Sequence, residues 1–150
     1  MNDISIYFRS YKELTKCELY DIYFLRQEVF IVEQNCVYQD IDQKDHYSYH
    51  LLAYDNEILV AYLRIVYPGI SYNEPSIGRV VTRMSHRRRG LSKNIVKAAI
   101  QKVRDVYNHS NIRISAQEYL IPFYKSLDFV SVGEVYLEDD IPHIEMMHKD

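Results

Sequence analysis

The sequence predicts an α/β (α+β) domain on a mixed sheet of about six to seven strands. Three observations carry this. β-rich runs bounded by turn residues recur along the chain. Two segments place apolar residues at three- and four-residue spacing, the mark of amphipathic helices. The length of 150 residues, with 47% hydrophobic and 26% charged, suits a single domain spanning 1–150 with an ordinary core.

The elements follow in chain order. Ile4 to Phe8 is a short β-prone run. Thr15 and Glu18 form a T-x-x-E capping box, and Leu19, Ile22, Tyr23, Arg26 and Phe30 continue it as an amphipathic helix of roughly four turns. Glu33 to Tyr49 is polar and irregular, which predicts a long functional loop or a broken helix. His50 to Tyr54 and Ile58 to Val66 flank Asp55-Asn56-Glu57 as a hairpin, ended by Pro68-Gly69. Ile77 to Thr82 is a further strand. Leu91 to Tyr107 is a second helix, with Leu91, Ile95, Ala98, Ala99, Val103 and Val106 on its apolar face. Ile112 to Ala116 is a strand, and Ile121 to Leu127 a short helix with Pro122 in its first turn. Phe129 to Leu137 and His143 to Met147 are strands around the acidic turn Glu138-Asp139-Asp140.

Bulk composition narrows the function. Lys and Arg number 18 against 21 Asp and Glu, a net charge of −3, which argues against a nucleic-acid partner. Residues 1–8 lack a basic and an apolar leader region, and no run approaches the roughly 18 apolar residues of a membrane span. Cys17 and Cys36 stand outside any C-x-x-C pair and read as reduced thiols. The expectation is a cytoplasmic protein without a membrane partner. Asp40-x-Asp42-x-Lys44 opens like a calcium loop, but Lys44 breaks the ligand series. His46 and His50 have Tyr47 where H-E-x-x-H chemistry needs Glu. No metal is expected.

The most informative segment is Val80-Val81-Thr82-Arg83-Met84-Ser85-His86-Arg87-Arg88-Arg89-Gly90-Leu91-Ser92. Here a strand runs through a basic turn into a helix. Unpaired amides and a partial positive charge at a helix N-terminus attract phosphate. Gly90 permits close backbone approach. Arg87, Arg88 and Arg89 add donors matched to phosphate oxygens. A solvated basic face is the plainer alternative. The strand–loop–helix setting favours a diphosphate cradle. Neither G-x-x-x-x-G-K-[ST] nor G-x-G-x-x-G occurs.

At this point the sequence resembles the GNAT acetyltransferase superfamily. Arg87-Arg88-Arg89-Gly90-Leu91-Ser92 fits its [QR]-x-x-G-x-[GA] pattern, with Ser92 in place of the last small residue. Leu25 through Cys36, Tyr38-Gln39-Asp40, Ile77-Gly78-Arg79-Val80-Val81, Ala116-Gln117, Val132 through Tyr136 and Ile141-Pro142-His143-Ile144 are similar to the ElaA branch of that superfamily. The resemblance implies a GNAT fold with helices on both faces of the sheet. It implies an N-acetyltransferase that takes acetyl-CoA as acyl donor and acts on an amine, in all expectation a small molecule; a homodimer is compatible with it.

The resemblance also assigns residues. Val80, Val81, Thr82, Arg87, Arg88, Arg89, Gly90, Leu91, Ser92, Gln117, Phe123 and Tyr124 would contact acetyl-CoA. Main-chain groups of Val80 to Thr82 would polarise the thioester carbonyl. Tyr124, in a segment similar to the family's F-Y-x-x-x-G-F, would protonate the leaving thiolate; Asp128 stands where that pattern has glycine. Phe30, Glu33, Asp40, Asp42, His50, Arg79 and Glu134 would form the acceptor side. Glu33 ranks first as general base and His143 second, with Asp40, Asp42, His50, Glu134 and water as alternatives. Three other readings compete: a protein or peptide acetyltransferase, an acetyl-CoA-binding regulator without turnover, and a nucleic-acid-binding module using Arg87 to Arg89.

Overall fold

A computed structural model describes residues 3–150; Met1 and Asn2, where the stretch read for a leader begins, lie outside the described residues. Side-chain alternation along the central hairpin sets the architecture. In strands β2 (Ser48–Asp55) and β3 (Ile58–Val66), successive residues face opposite sides of the sheet. Leu51, Ala53, Val60 and Leu63 join one core, while Leu52, Leu59 and Tyr62 join another. A sheet apolar on both faces needs a cover on each. Helix α1 (Lys16–Arg26) supplies Ile22 and Leu25 to the second core, and helix α2 (Leu91–Tyr107) supplies Ile95, Val96, Ala99 and Val103 to the first.

The remaining strands are β1 (Ile4–Ser10), β4 (Ser76–Thr82), β5 (Ile112–Gln117), β6 (Phe129–Glu138) and β7 (Ile141–His148). Short helix α3 (Ile121–Lys125) follows β5. The seven strands form two hydrogen-bonded antiparallel sheets, β1-β2-β3-β4 and β5-β7-β6. β4 and β5 meet where Arg113 N donates to Pro75 O at 3.1 Å, so both strands begin at the same end and run in the same sense. That makes the whole sheet mixed. Beyond this bond the two sheets are not paired, and the seam opens into a cleft.

Local chemistry explains the boundaries. Thr15 caps α1 by accepting from Glu18 N at 3.1 Å, and Glu18 returns a bond to Thr15 N at 2.9 Å. α2 begins after Gly90 (φ 75) and ends at Asn108 (φ 61), two residue types that tolerate the left-handed region. Asp128 (φ 69) holds the left-handed position after α3, where the family pattern places glycine.

Two departures concern the first helix and the loop after it. The helix read through Phe30 changes its winding after Arg26: Gln27–Glu33 is a π-helix, with Gln34 N bonding Val29 O and Cys36 N bonding Ile31 O. A π segment has no compositional signature and often marks a functional site. The following loop is ordered by buried charge, not left to solvent, and contains a 3₁₀ turn at Gln43–Tyr47.

Candidate active site

The open seam forms a cleft of about 620 Å³, within the range of small-molecule sites. β4 contributes Arg79, Val80, Val81 and Thr82, and the π-helix contributes Phe30 and Glu33. Arg87 and Ser92 come from the β4–α2 corner, and Gln117, Phe123 and Tyr124 from the far side. His143 completes the set on β7. Segments far apart in sequence therefore converge on one cavity.

β4 is bulged here. Arg64 pairs with Gly78 and Tyr62 with Val81, so two residues of β4 oppose one of β3. Arg79 absorbs the distortion at φ 51. Non-glycine residues in that region carry strain and cluster at functional sites.

The corner between β4 and α2 keeps its donors. Gly90 has no side chain to cap α2, so the amides of the first turn stay available at the positive end of a 17-residue helix. The Ser92 hydroxyl, whose Cβ replaces a smaller residue of the family pattern, is 2.7 Å from Thr82 Oγ1 and so is folded against the end of β4. Arg87 lines the cleft: its Nε donates to Thr82 O at 2.9 Å, and its two terminal nitrogens donate to Glu33 Oε2 and Oε1 at 2.6 and 2.9 Å. Gly90, Arg88, Arg89 and Leu91 are not on the cleft wall; Arg89 and Leu91 border a smaller cavity beside Ile4 and Ile6. Among the described residues, the Arg88 and Arg89 side chains make no hydrogen bond or ion pair.

Tyr124 is buried and reaches the cleft wall, its ring edge-on to Phe123 at 5.1 Å and to Phe129 at 5.5 Å. Burial pushes its phenol up to about 12, so it keeps its proton at neutral pH.

Asp40, Asp42 and His50, which the sequence reading assigns to the acceptor side, are not on the cleft wall. Three arginines claim the acids. Arg26, fully buried, donates from Nε to Asp40 Oδ2 and from one terminal nitrogen to Asp45 Oδ1, both at 2.9 Å. Arg64 grips Asp42 with both terminal nitrogens, at 2.6 and 2.9 Å, and also reaches Asp45. Arg79 Nε lies 2.8 Å from Asp40 Oδ1. Burial opposes ionisation of Asp42, but the Arg64 contacts outweigh it and hold the carboxyl down to about 2. The network backs the wall formed by Arg64 and Arg79. Glu134 is exposed on β6 beside Gly133 and lies off the cleft wall.

His50 is locked inside. Its Nε2 is 2.9 Å from Asp45 O, which can only accept, so Nε2 carries hydrogen. Nδ1 then accepts from the Tyr62 hydroxyl at 2.7 Å. Burial pushes the imidazole below its ordinary 6.5, more than the Asp45 bond raises it. The folded state thus refuses a proton that the unfolded chain accepts. Stability is complete above about pH 6.5 and falls as the pH drops below it. Unfolding titrations at about pH 7 and about pH 5 should show a smaller acid loss in His50→Gln than in the parent. An equal loss in both would remove His50 from the acid response.

Sequence reasoning missed Tyr38, Lys44, Ser115 and Glu138 on the cleft wall. The signal for Ser115 was present. β5 and β7 alternate Ile112, Ile114 and Ala116, or Ile144 and Met146, with polar Ser115, Gln117, His143 and Glu145, so one sheet face is polar. Among the described residues, no group of three His, Cys, Asp or Glu side chains is arranged to hold a metal, and no helix is long and apolar enough to cross a membrane.

Comparison with known proteins agrees with this geometry. The acetyltransferase (GNAT) domain family matches residues 12–149. ElaA of Escherichia coli is 37% identical over 138 residues, 91% of this chain and 90% of that protein. A UPF0039 protein of Synechocystis sp. is 38% identical over 148 residues, 98% of this chain and 96% of that protein. Among solved structures, an acyl-CoA N-acyltransferase from Pseudomonas aeruginosa superposes with a TM-score of 0.93 at 38% identity, covering 97% of this chain and 99% of that one. E. coli ElaA superposes at 0.92 with 34% identity, covering 98% and 100%. The splayed sheet, the uncapped helix at its mouth and these relatives lead to one conclusion: the chain is an acyltransferase of the GNAT acetyltransferase family, in its ElaA-like branch.

Proposed function

We propose that residues 1–150 act as one domain that transfers the acetyl group of acetyl-CoA to a small-molecule amine by direct attack on the thioester. The observation that carries this reading is the shared cleft. Arg87 and Ser92 of the corner between β4 and α2, the bulged strand and a protonated tyrosine all line it.

The amides at the start of α2 and the Arg87 guanidinium hold the diphosphate. Main-chain groups of Val80 to Thr82 bind and polarise the acyl carbonyl. Tyr124 donates to the departing sulfur. Glu33, with both oxygens on Arg87, orients that guanidinium, which leaves His143 as the better placed of the two candidate bases. Holding both substrates in one cleft removes much of the entropic barrier.

Acetyl-CoA at about 100 times its dissociation constant should stabilise the fold by about 2.7 kcal/mol. For a domain of this size that is a rise of roughly 5–10 °C in melting temperature. Arg87→Ala should weaken acetyl-CoA binding by about 1.5–3 kcal/mol, read by calorimetry. A melting point raised by an oligonucleotide and not by acetyl-CoA would favour a nucleic-acid module. Acetyl-CoA binding without thiol release across an amine panel would favour the regulator.

A further inference from the structure

The polar face of the second sheet contains a pair that no step above uses fully. His143 Nδ1 is 2.7 Å from Ile141 O. A carbonyl only accepts, so Nδ1 carries hydrogen and the neutral ring leaves a lone pair on Nε2. That nitrogen faces Glu138 Oε2 at 3.5 Å. Two acceptors facing each other with no hydrogen between them repel; a single proton turns the contact into a charge-assisted pair. The partners are held in place. Glu138 Oε1 accepts from Ser115 Oγ at 3.2 Å, Ser115 bonds the Tyr136 hydroxyl, and the Tyr136 ring stacks on His143 at 6.2 Å.

The other candidate bases are occupied or elsewhere. Both Glu33 oxygens engage Arg87, both His50 nitrogens are bonded in the interior, and Glu134 is off the cleft. We infer that Glu138 and His143 act together as the proton acceptor for the amine, which arrives as its ammonium ion. This rests on the acyl-transfer reading. The ammonium gives one proton to His143 Nε2, and the resulting imidazolium pairs with Glu138. The freed nitrogen lone pair forms the C–N bond at the carbonyl carbon. The C–S bond breaks with its electron pair on sulfur, which takes a proton from Tyr124. The second nitrogen proton restores the Tyr124 phenol. An amide and a thiol result, and the dyad returns its one proton to water.

The charged and titratable groups near His143 are few enough to assign an effect. β6 presents Tyr136 and Glu138; the turn adds Asp139; one residue pair along, Glu145 is bound by Arg113, which also holds Glu74. Tyr72 lies over Tyr136, and β5 places uncharged Gln117 opposite His143.

Nitrogen-15 NMR of the histidine side chains, followed through pH in the parent and in Glu138→Gln, tests the dyad without needing turnover. Glu138 is exposed, so this variant keeps the fold, and its melting temperature verifies that. The His143 titration midpoint should fall in the variant. An unmoved midpoint overturns the dyad. With acetyl-CoA and butylamine or 1,4-diaminobutane, the acid limb of kcat/KM should move down with that midpoint, and His143→Gln should lose roughly 100-fold or more in turnover. An acid limb that stays in place while the midpoint moves also overturns it. Calorimetry with acetyl-CoA separates the two ideas: a parent that does not bind it ends the acyl-transfer reading, whereas binding with an unmoved midpoint ends only the dyad.

Discussion

Arg26→Ala should lower the unfolding free energy by about 3–5 kcal/mol, the cost of leaving buried carboxylates without their partner. The side chain is fully buried and serves Asp40 through Nε and one terminal nitrogen, the latter on the Asp40 carbonyl at 2.9 Å, and Asp45 through the other. Its plane also lies 5.4 Å from the Tyr23 ring centre and 5.8 Å from that of Tyr62. A total stability of roughly 5–15 kcal/mol makes such a loss close to decisive. Lysine offers a point charge in place of a planar fork, so Arg26→Lys should recover only part of it. Urea unfolding with an unchanged m-value is the measurement. A loss below about 1 kcal/mol would mean that the network contributes no more than surface pairs do.

Tyr124→Phe should reduce turnover by about 10²–10⁴-fold, the usual share of a positioned proton donor. Acetyl-CoA affinity should stay close to that of the parent. The variant keeps the ring and its edge-on contacts with Phe123 and Phe129, and loses only the hydroxyl. Single-turnover release of thiol, compared with calorimetric binding, separates the two effects. Turnover equal to the parent's would remove Tyr124 from the chemistry and leave water to protonate the sulfur.

Local rules made most of the fold legible. α2 spans Leu91–Tyr107 as read, because Gly90 and Asn108 mark both ends and the apolar period is unbroken between them. The hairpin of β2 and β3 follows from two β-rich runs around Asp55-Asn56-Glu57. The corner from β4 to α2 was legible for the same reason: strand, basic turn and helix are contiguous. What could not be read were pairings across long separations. Arg87 and Glu33 are 54 residues apart, and Arg79 and Asp40 are 39 apart. The polar loop, read as a functional loop or a broken helix, contributes Asp40 and Asp45 to a buried network.

The π-helical turn at Gln27–Glu33 has a consequence for how the chain can vary. Such a turn behaves as an α-helix carrying one surplus residue, and each α-helical residue advances the side chain by about 100°. Excising a single residue from this stretch would restore ordinary winding and remove the widened turn that presents Phe30 and Glu33 to the cleft. The surplus residue therefore acts as an alignment shim between the first helix and the mouth of the phosphate corner, and length in this segment is less dispensable than residue identity.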